Sequence, residues 1–154
     1  MKRIVVRATV LGLSWLVAAG AAAAEDSREP ATRLTLQVSG LKSSAGSVRA
    51  ALFRSPKGFP GDTGFAAELR EVPIESRQAT VVFEDAPCAD GCAVSLFHDE
   101  NGNQGLDRNF AGIPSEGIGI SLDAQGLFGP KSFEAAAFRT REPALRLEIP
   151  VRYY

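Results

Sequence analysis

Ala93-Val94-Ser95-Leu96-Phe97-His98-Asp99-Glu100-Asn101-Gly102-Asn103-Gln104-Gly105-Leu106-Asp107-Arg108-Asn109 changes character at its middle. Ala93 to Phe97 is an apolar run that reads as a β-strand bounded by turn residues. From Asp99 onward, aspartate, asparagine and glycine alternate. Side-chain oxygens at Asp99, Asn101, Asn103 and Asp107 fall on places 1, 3, 5 and 9 of an oxygen-ligand calcium loop. Skipping alternate residues lets a tightly turning chain aim several oxygens at one centre, and glycines supply the positive φ angles. These four residues are the candidate calcium ligands. Place 12 is Phe110, so the bidentate glutamate of an EF-hand is missing, and Glu116 or a carbonyl further on would have to close the shell. The same residues also suit a metal-free turn in which Asp and Asn bind their own backbone.

Working outward from this stretch, short apolar–polar alternations recur. Leu34, Leu36 and Val38 alternate with Thr35, Gln37 and Ser39 and stop at Gly40. After the turn residues Ser43 to Ser47, Val48, Ala50 and Leu52 alternate and Phe53 extends them, so the two strands are expected to pair as a hairpin. A weaker strand at Leu69–Ile74 contains Pro73 and belongs on an edge. Ala79–Phe83 is β-branched and aromatic, and Leu145, Leu147, Ile149 and Val151 share one face of a final strand. One short helix is expected at Phe133–Phe138, with Ser132 as N-cap. Between Asp107 and Phe138 no strand stands out, although glycines are frequent; this stretch reads as a long Gly-rich flap packed by its own apolar side chains. The fold class is all-β: an antiparallel immunoglobulin-like or transthyretin-like β-sandwich with that flap and one short helix.

The N-terminus reads as a secretory signal peptide over residues 1–24. Lys2, Arg3 and Arg7 precede a short apolar run, and Ala22-Ala23-Ala24 forms the cleavage site. The apolar run is shorter than the roughly 18–20 residues that a membrane-spanning helix needs. A lead-in over residues 25–32 and a single domain over 33–154 follow. Cleavage would remove three basic residues and no acidic one, taking the formal charge from −1 to −4. No basic cluster remains to track a phosphate backbone, which argues against nucleic acid as a partner, and no later apolar run is long enough to span a membrane. The expected location is periplasmic or secreted. In that setting Cys88 and Cys92, around Ala89-Asp90-Gly91, read as a structural disulfide, because the spacing misses the C-x-x-C redox pattern.

Three further stretches carry a resemblance. Phe97 to Gly117, Gly129 to Phe138, and Leu36 to Phe53 together resemble the secreted bacterial domain-of-unknown-function family 2141 over nearly all of the chain after residue 24. The resemblance implies an exported β-sandwich and carries no activity with it. Two departures stand out. Gln104-Gly105 replaces the family's usual Gly-Lys, removing the glycine that sharpens a calcium loop, though Gly105 stands one step later. Pro87-Cys88-Ala89-Asp90-Gly91-Cys92 replaces a Pro-Pro-Gly-x-Tyr turn. A turn followed by a strand in this way is also similar to transthyretin-like and collagen-adhesin-B-type sandwiches.

For chemistry, His98 is the one histidine. A hydrolase would use His98 as a general base oriented by Asp99 or Glu116. Alternation puts Asp99 on the opposite face from His98, and there is no G-x-S-x-G nucleophile elbow and no second zinc-type ligand beside the histidine. His98 therefore reads first as a structural hydrogen-bonding residue facing the flap. The favoured function is a non-enzymatic exported domain whose Asp/Asn loop binds calcium weakly or holds a turn, and whose flap contacts a ligand, an envelope protein or a glycan. The hydrolase centred on His98, Asp99 and Glu116 is the alternative.

Overall fold

The alternation at Leu34, Leu36 and Val38 becomes strand β1 (Thr32–Ser39), whose alternate side chains are fully buried. The computed structural model describes residues 31–126 and 129–154. The expected signal peptide and nearly all of the lead-in lie outside them, as do Leu127 and Phe128. The remaining principal strands are β2 (Ser47–Phe53), β3 (Glu68–Pro73), β4 (Ala79–Ala86), β5 (Ala93–Asp99) and β6 (Ile118–Ile120). A two-residue hairpin, β7 (Gln125–Gly126) and β8 (Gly129–Pro130), precedes helix α1 (Phe133–Ala136) and strand β9 (Ala144–Pro150). Helix α1 is shorter than expected, with Ser132 as its N-cap.

Two sheets form the sandwich, one ordered β4-β1-β9 and the other β3-β2-β5-β6. Leu34, Leu36, Val81, Phe83 and Ile149 from the first meet Val48, Ala50, Leu52, Val94 and Leu96 from the second in one hydrophobic core. Strand β3 is an edge, as Pro73 requires. Strand β9 pairs with β1 in parallel, so the first sheet is mixed.

Two expectations about connectivity do not hold. Strands β1 and β2 are not a hairpin, because β1 pairs with β4 and β9 while β2 pairs with β3 and β5. Their inward faces meet across the core instead, so the turn between them is a crossover from one sheet to the other. The stretch from Asp107 to Phe138 also contains a strand, β6, paired with β5. Its inward residue is Gly119, where an added Cβ would lie 2.7 Å from a Leu96 methyl and 2.8 Å from one of Ile149. Glycine on the core side lets β6 approach closely, and it also erases the alternating apolar signal that marks a strand.

The chain's end ties the two sheets together. Val151 N–H donates to Ser39 O in the first sheet, and Arg152 exchanges both backbone hydrogen bonds with Ile118 in the second. The Cys88–Cys92 disulfide, with Cα atoms 5.0 Å apart, lies buried between β4 and β5. Cys92 exchanges backbone hydrogen bonds with Phe138, and Thr140 N–H donates to Cys88 O, so the clip also anchors the segment leading to β9.

Candidate functional site

Strand β5 delivers both candidate sites because alternate residues leave it on opposite faces. Val94, Leu96 and His98 point into the sandwich, whereas Ser95, Phe97 and Asp99 point out of it. His98 is therefore on the buried face, and it is 0 % exposed. Its Nε2 lies 2.7 Å from the carbonyl oxygen of Ala45 and its Nδ1 lies 2.7 Å from the Tyr153 hydroxyl. A carbonyl can only accept, so Nε2 carries the proton and Tyr153 O–H donates to Nδ1. The Tyr153 oxygen in turn accepts from the Lys42 backbone N–H at 3.1 Å. Burial pushes the Tyr153 hydroxyl above the ordinary tyrosine value, opposed by that Lys42 N–H. Lys42 itself is raised, first by its hydrogen bond to Glu100, 2.7 Å away.

Both ring nitrogens of His98 are used, and the ring's partners are Tyr153 and Ala45; the 107–138 segment is bonded to His98 through the backbone, His98 N–H donating to Gly117 O. The Ala45–Gly46 turn is seated on β5 so tightly that a Cβ at Gly46, where φ is +70°, would come 1.8 Å from Asp99 O. Only glycine fits there.

Asp99, Asn101, Asn103 and Asp107 do come together, and hydrogen bonds hold them so. The buried Asp99 carboxylate accepts from Gly102 N–H at 2.8 Å and Gln104 N–H at 2.9 Å. Asn101 Oδ1 accepts from Asn103 N–H, and Asn103 Oδ1 from Gly105 N–H. The two asparagine amides donate to the two oxygens of Asp107, at 2.6 and 2.9 Å. Glu116 closes the loop: its carboxylate, 4 % exposed as a residue, accepts from Glu100 N–H and Asp107 N–H at the two ends. The sharp turn falls on Gln104 itself, with φ of +69°, and not on Gly105. Among the described residues no group of three or more His, Cys, Asp or Glu side chains is arranged to hold a metal ion.

The outer face of the β3-β2-β5-β6 sheet is the feature that residue-by-residue reading missed. Pairing places Glu71, Arg49, Phe97 and Ile118 in one row across four strands, and Leu69, Ala51, Ser95 and Ile120 in the next. These rows floor a groove of about 1080 Å³. Leu106, Arg108, Ile113 and Pro114 from the loop after β5 form one wall, while Pro60, Thr63, Pro130 and Tyr154 line it elsewhere. Beyond the groove the same face is sealed by a second small core of Ala93, Ile120, Ala124 and Ala136, with Phe59 and Phe133 packed edge-to-face against each other.

A family model described as "Uncharacterized protein conserved in bacteria (DUF2141)" matches residues 36–147. The chain belongs to the DUF2141 family. No curated protein and no solved structure matches it. Within this DUF2141 domain the matched span runs from inside β1 to inside β9, and so takes in β2 to β8, the Asp/Asn loop and all of the groove lining except Tyr154. The sequence signal for the groove was Ile118-Gly119-Ile120, an alternation whose apolar members face outward.

Proposed function

We propose that this DUF2141 domain is an exported, non-enzymatic binding domain whose ligand site is the groove on the outer face of the β3-β2-β5-β6 sheet. The observation that carries this reading is the groove itself, a concave space of about 1080 Å³ floored by the apolar side chains of Ala51, Leu69, Phe97 and Ile118. Ligand sites are typically concave, mostly apolar and furnished with a few fixed polar groups, and here the wall is a loop braced at both ends by Glu116. Export is supported by the N-terminal pattern and by the buried disulfide. No helix among the described residues is long and apolar enough to cross a membrane. The non-enzymatic reading rests on how His98, Asp99 and Glu116 are used. Each accepts or donates structural hydrogen bonds, and His98 and Asp99 lie on opposite faces of β5. The loop at 99–107 is a scaffold for the groove wall.

The test uses a neutral apolar fluorophore, N-phenyl-1-naphthylamine, titrated into the purified protein. Saturable enhancement at one site per chain is expected. Leu69→Glu, which puts a charge on the half-exposed floor position, should abolish it while leaving the circular dichroism spectrum intact. Enhancement that is absent, or undiminished in Leu69→Glu, removes the groove as the binding site.

A further inference from the structure

Resting on the groove being the ligand site, we propose that its occupant is a single-chain aliphatic carboxylate, with the chain on the sheet face and the carboxylate at Arg108. The shape and the charge of the groove are asymmetric. The row Leu69–Ala51–Ser95–Ile120 is apolar apart from Ser95, whose hydroxyl is spent on the Pro60 carbonyl at 2.7 Å. The neighbouring row, nearer Asp99, holds Arg49 and Glu71, paired at 2.6 Å. That pair is neutral as a unit.

Among the side chains that line the groove, Arg108 adds the charge that no other lining group balances. It lines the groove from the loop that leaves β5 at this same end. One of its nitrogens, Nη1, donates to Gly112 O at 2.9 Å, and no ion pair engages Arg108 among the described residues. The guanidinium is thereby anchored by a single bond, leaving other donors of a planar fork suited to a carboxylate. Arg70, the third arginine at the groove, is turned elsewhere: its guanidinium donates to the carbonyls of Val82 and Leu69, pairs with Glu68 and stacks over Phe83. Counting the side chains that line the groove, the charged end is net positive through Arg108, and the floor is otherwise mostly apolar, with Phe97 on it and Tyr154 at its side. One anionic head on an aliphatic chain complements both ends.

The experiment follows backbone amide shifts of Phe97, Ile118 and Ile120 by NMR during titration with lauric acid, dodecanol or dodecylamine, each below its aggregation concentration. Lauric acid is expected to shift these amides and to bind at least about tenfold more tightly than dodecanol, the increment of a charge-assisted hydrogen bond. Arg108→Gln should bring lauric acid down to the level of dodecanol and leave dodecanol unchanged, and Arg108→Lys should recover much of the preference. If dodecanol or dodecylamine binds as tightly as lauric acid, or if Arg108→Gln keeps the preference with an unperturbed spectrum, the carboxylate assignment is overturned while the groove survives. If none of the three moves the groove amides, whereas N-phenyl-1-naphthylamine still binds, the aliphatic occupant is wrong. If no probe binds, the groove reading itself falls.

Discussion

His98 illustrates how one residue's role is decided by its partners. Buried with both nitrogens bonded, it needs Tyr153 as donor and Ala45 as acceptor. Tyr153→Phe removes the donor, leaves a buried acceptor unpaired, and should cost about 1–3 kcal/mol of stability. A thermal midpoint within error of wild type would show the bond to be idle. The pH dependence has a definite sign. Burial raises the Tyr153 hydroxyl, so the folded protein keeps a proton that the unfolded chain releases first. That contribution is complete below about pH 10 and is lost as pH rises through the folded value. Wild type should therefore lose more stability across the alkaline range than Tyr153→Phe, and parallel losses would refute the assignment. The sequence offered no route to this pair, because 55 residues separate histidine from tyrosine.

At the scale of the element, the loop from Asp99 to Asp107 has the oxygens of a calcium site, each used inside the loop. The carboxylates of Asp99, Asp107 and Glu116 accept six hydrogen bonds between them from backbone and asparagine amides. Calcium would have to displace the two asparagine amides from Asp107 and gain more than those bonds supply. We expect the thermal midpoint of chelator-stripped protein to stay constant up to about 10 mM calcium, beyond the range of weak extracellular sites. A rise with calcium, little matched by magnesium and lost in Asp99→Asn/Asp107→Asn, would establish the ion-binding reading in its place. Spacing alone could not separate the two outcomes. The same alternate oxygens serve either, and the direction of each carbonyl and amide is set only when Glu116 arrives from nine residues beyond Asp107.

For the whole molecule, the final residues act as a strap. Val151 bonds the first sheet, Arg152 the second, and Tyr153 packs over Gly117 and holds His98. Deleting residues 151–154 removes a buried valine and orphans His98, which together should cost about 3–5 kcal/mol. Native-state hydrogen exchange should then accelerate at the Ile118 amide more than within β1. Unchanged protection at Ile118 would show that β6 is held by β5 alone. The same architecture explains the groove: with β4-β1-β9 covering the inner face, the outer face of the other sheet is left partly open and walled by loops.

What the sequence by itself determined was local. Alternation marked β1, β2 and β9, proline put β3 on an edge, and the cysteine spacing marked the disulfide, because strand period, ring geometry and a short covalent turn depend on neighbours a few residues apart. Tertiary structure decided the rest. It made β1 and β2 partners across a core rather than along a hairpin, and set β9 parallel to β1. It also drew β6 out of a glycine-rich stretch whose core side is empty of side chains. The groove belongs to that second group, since its floor is assembled from four strands that meet only when non-local hydrogen bonds set their register.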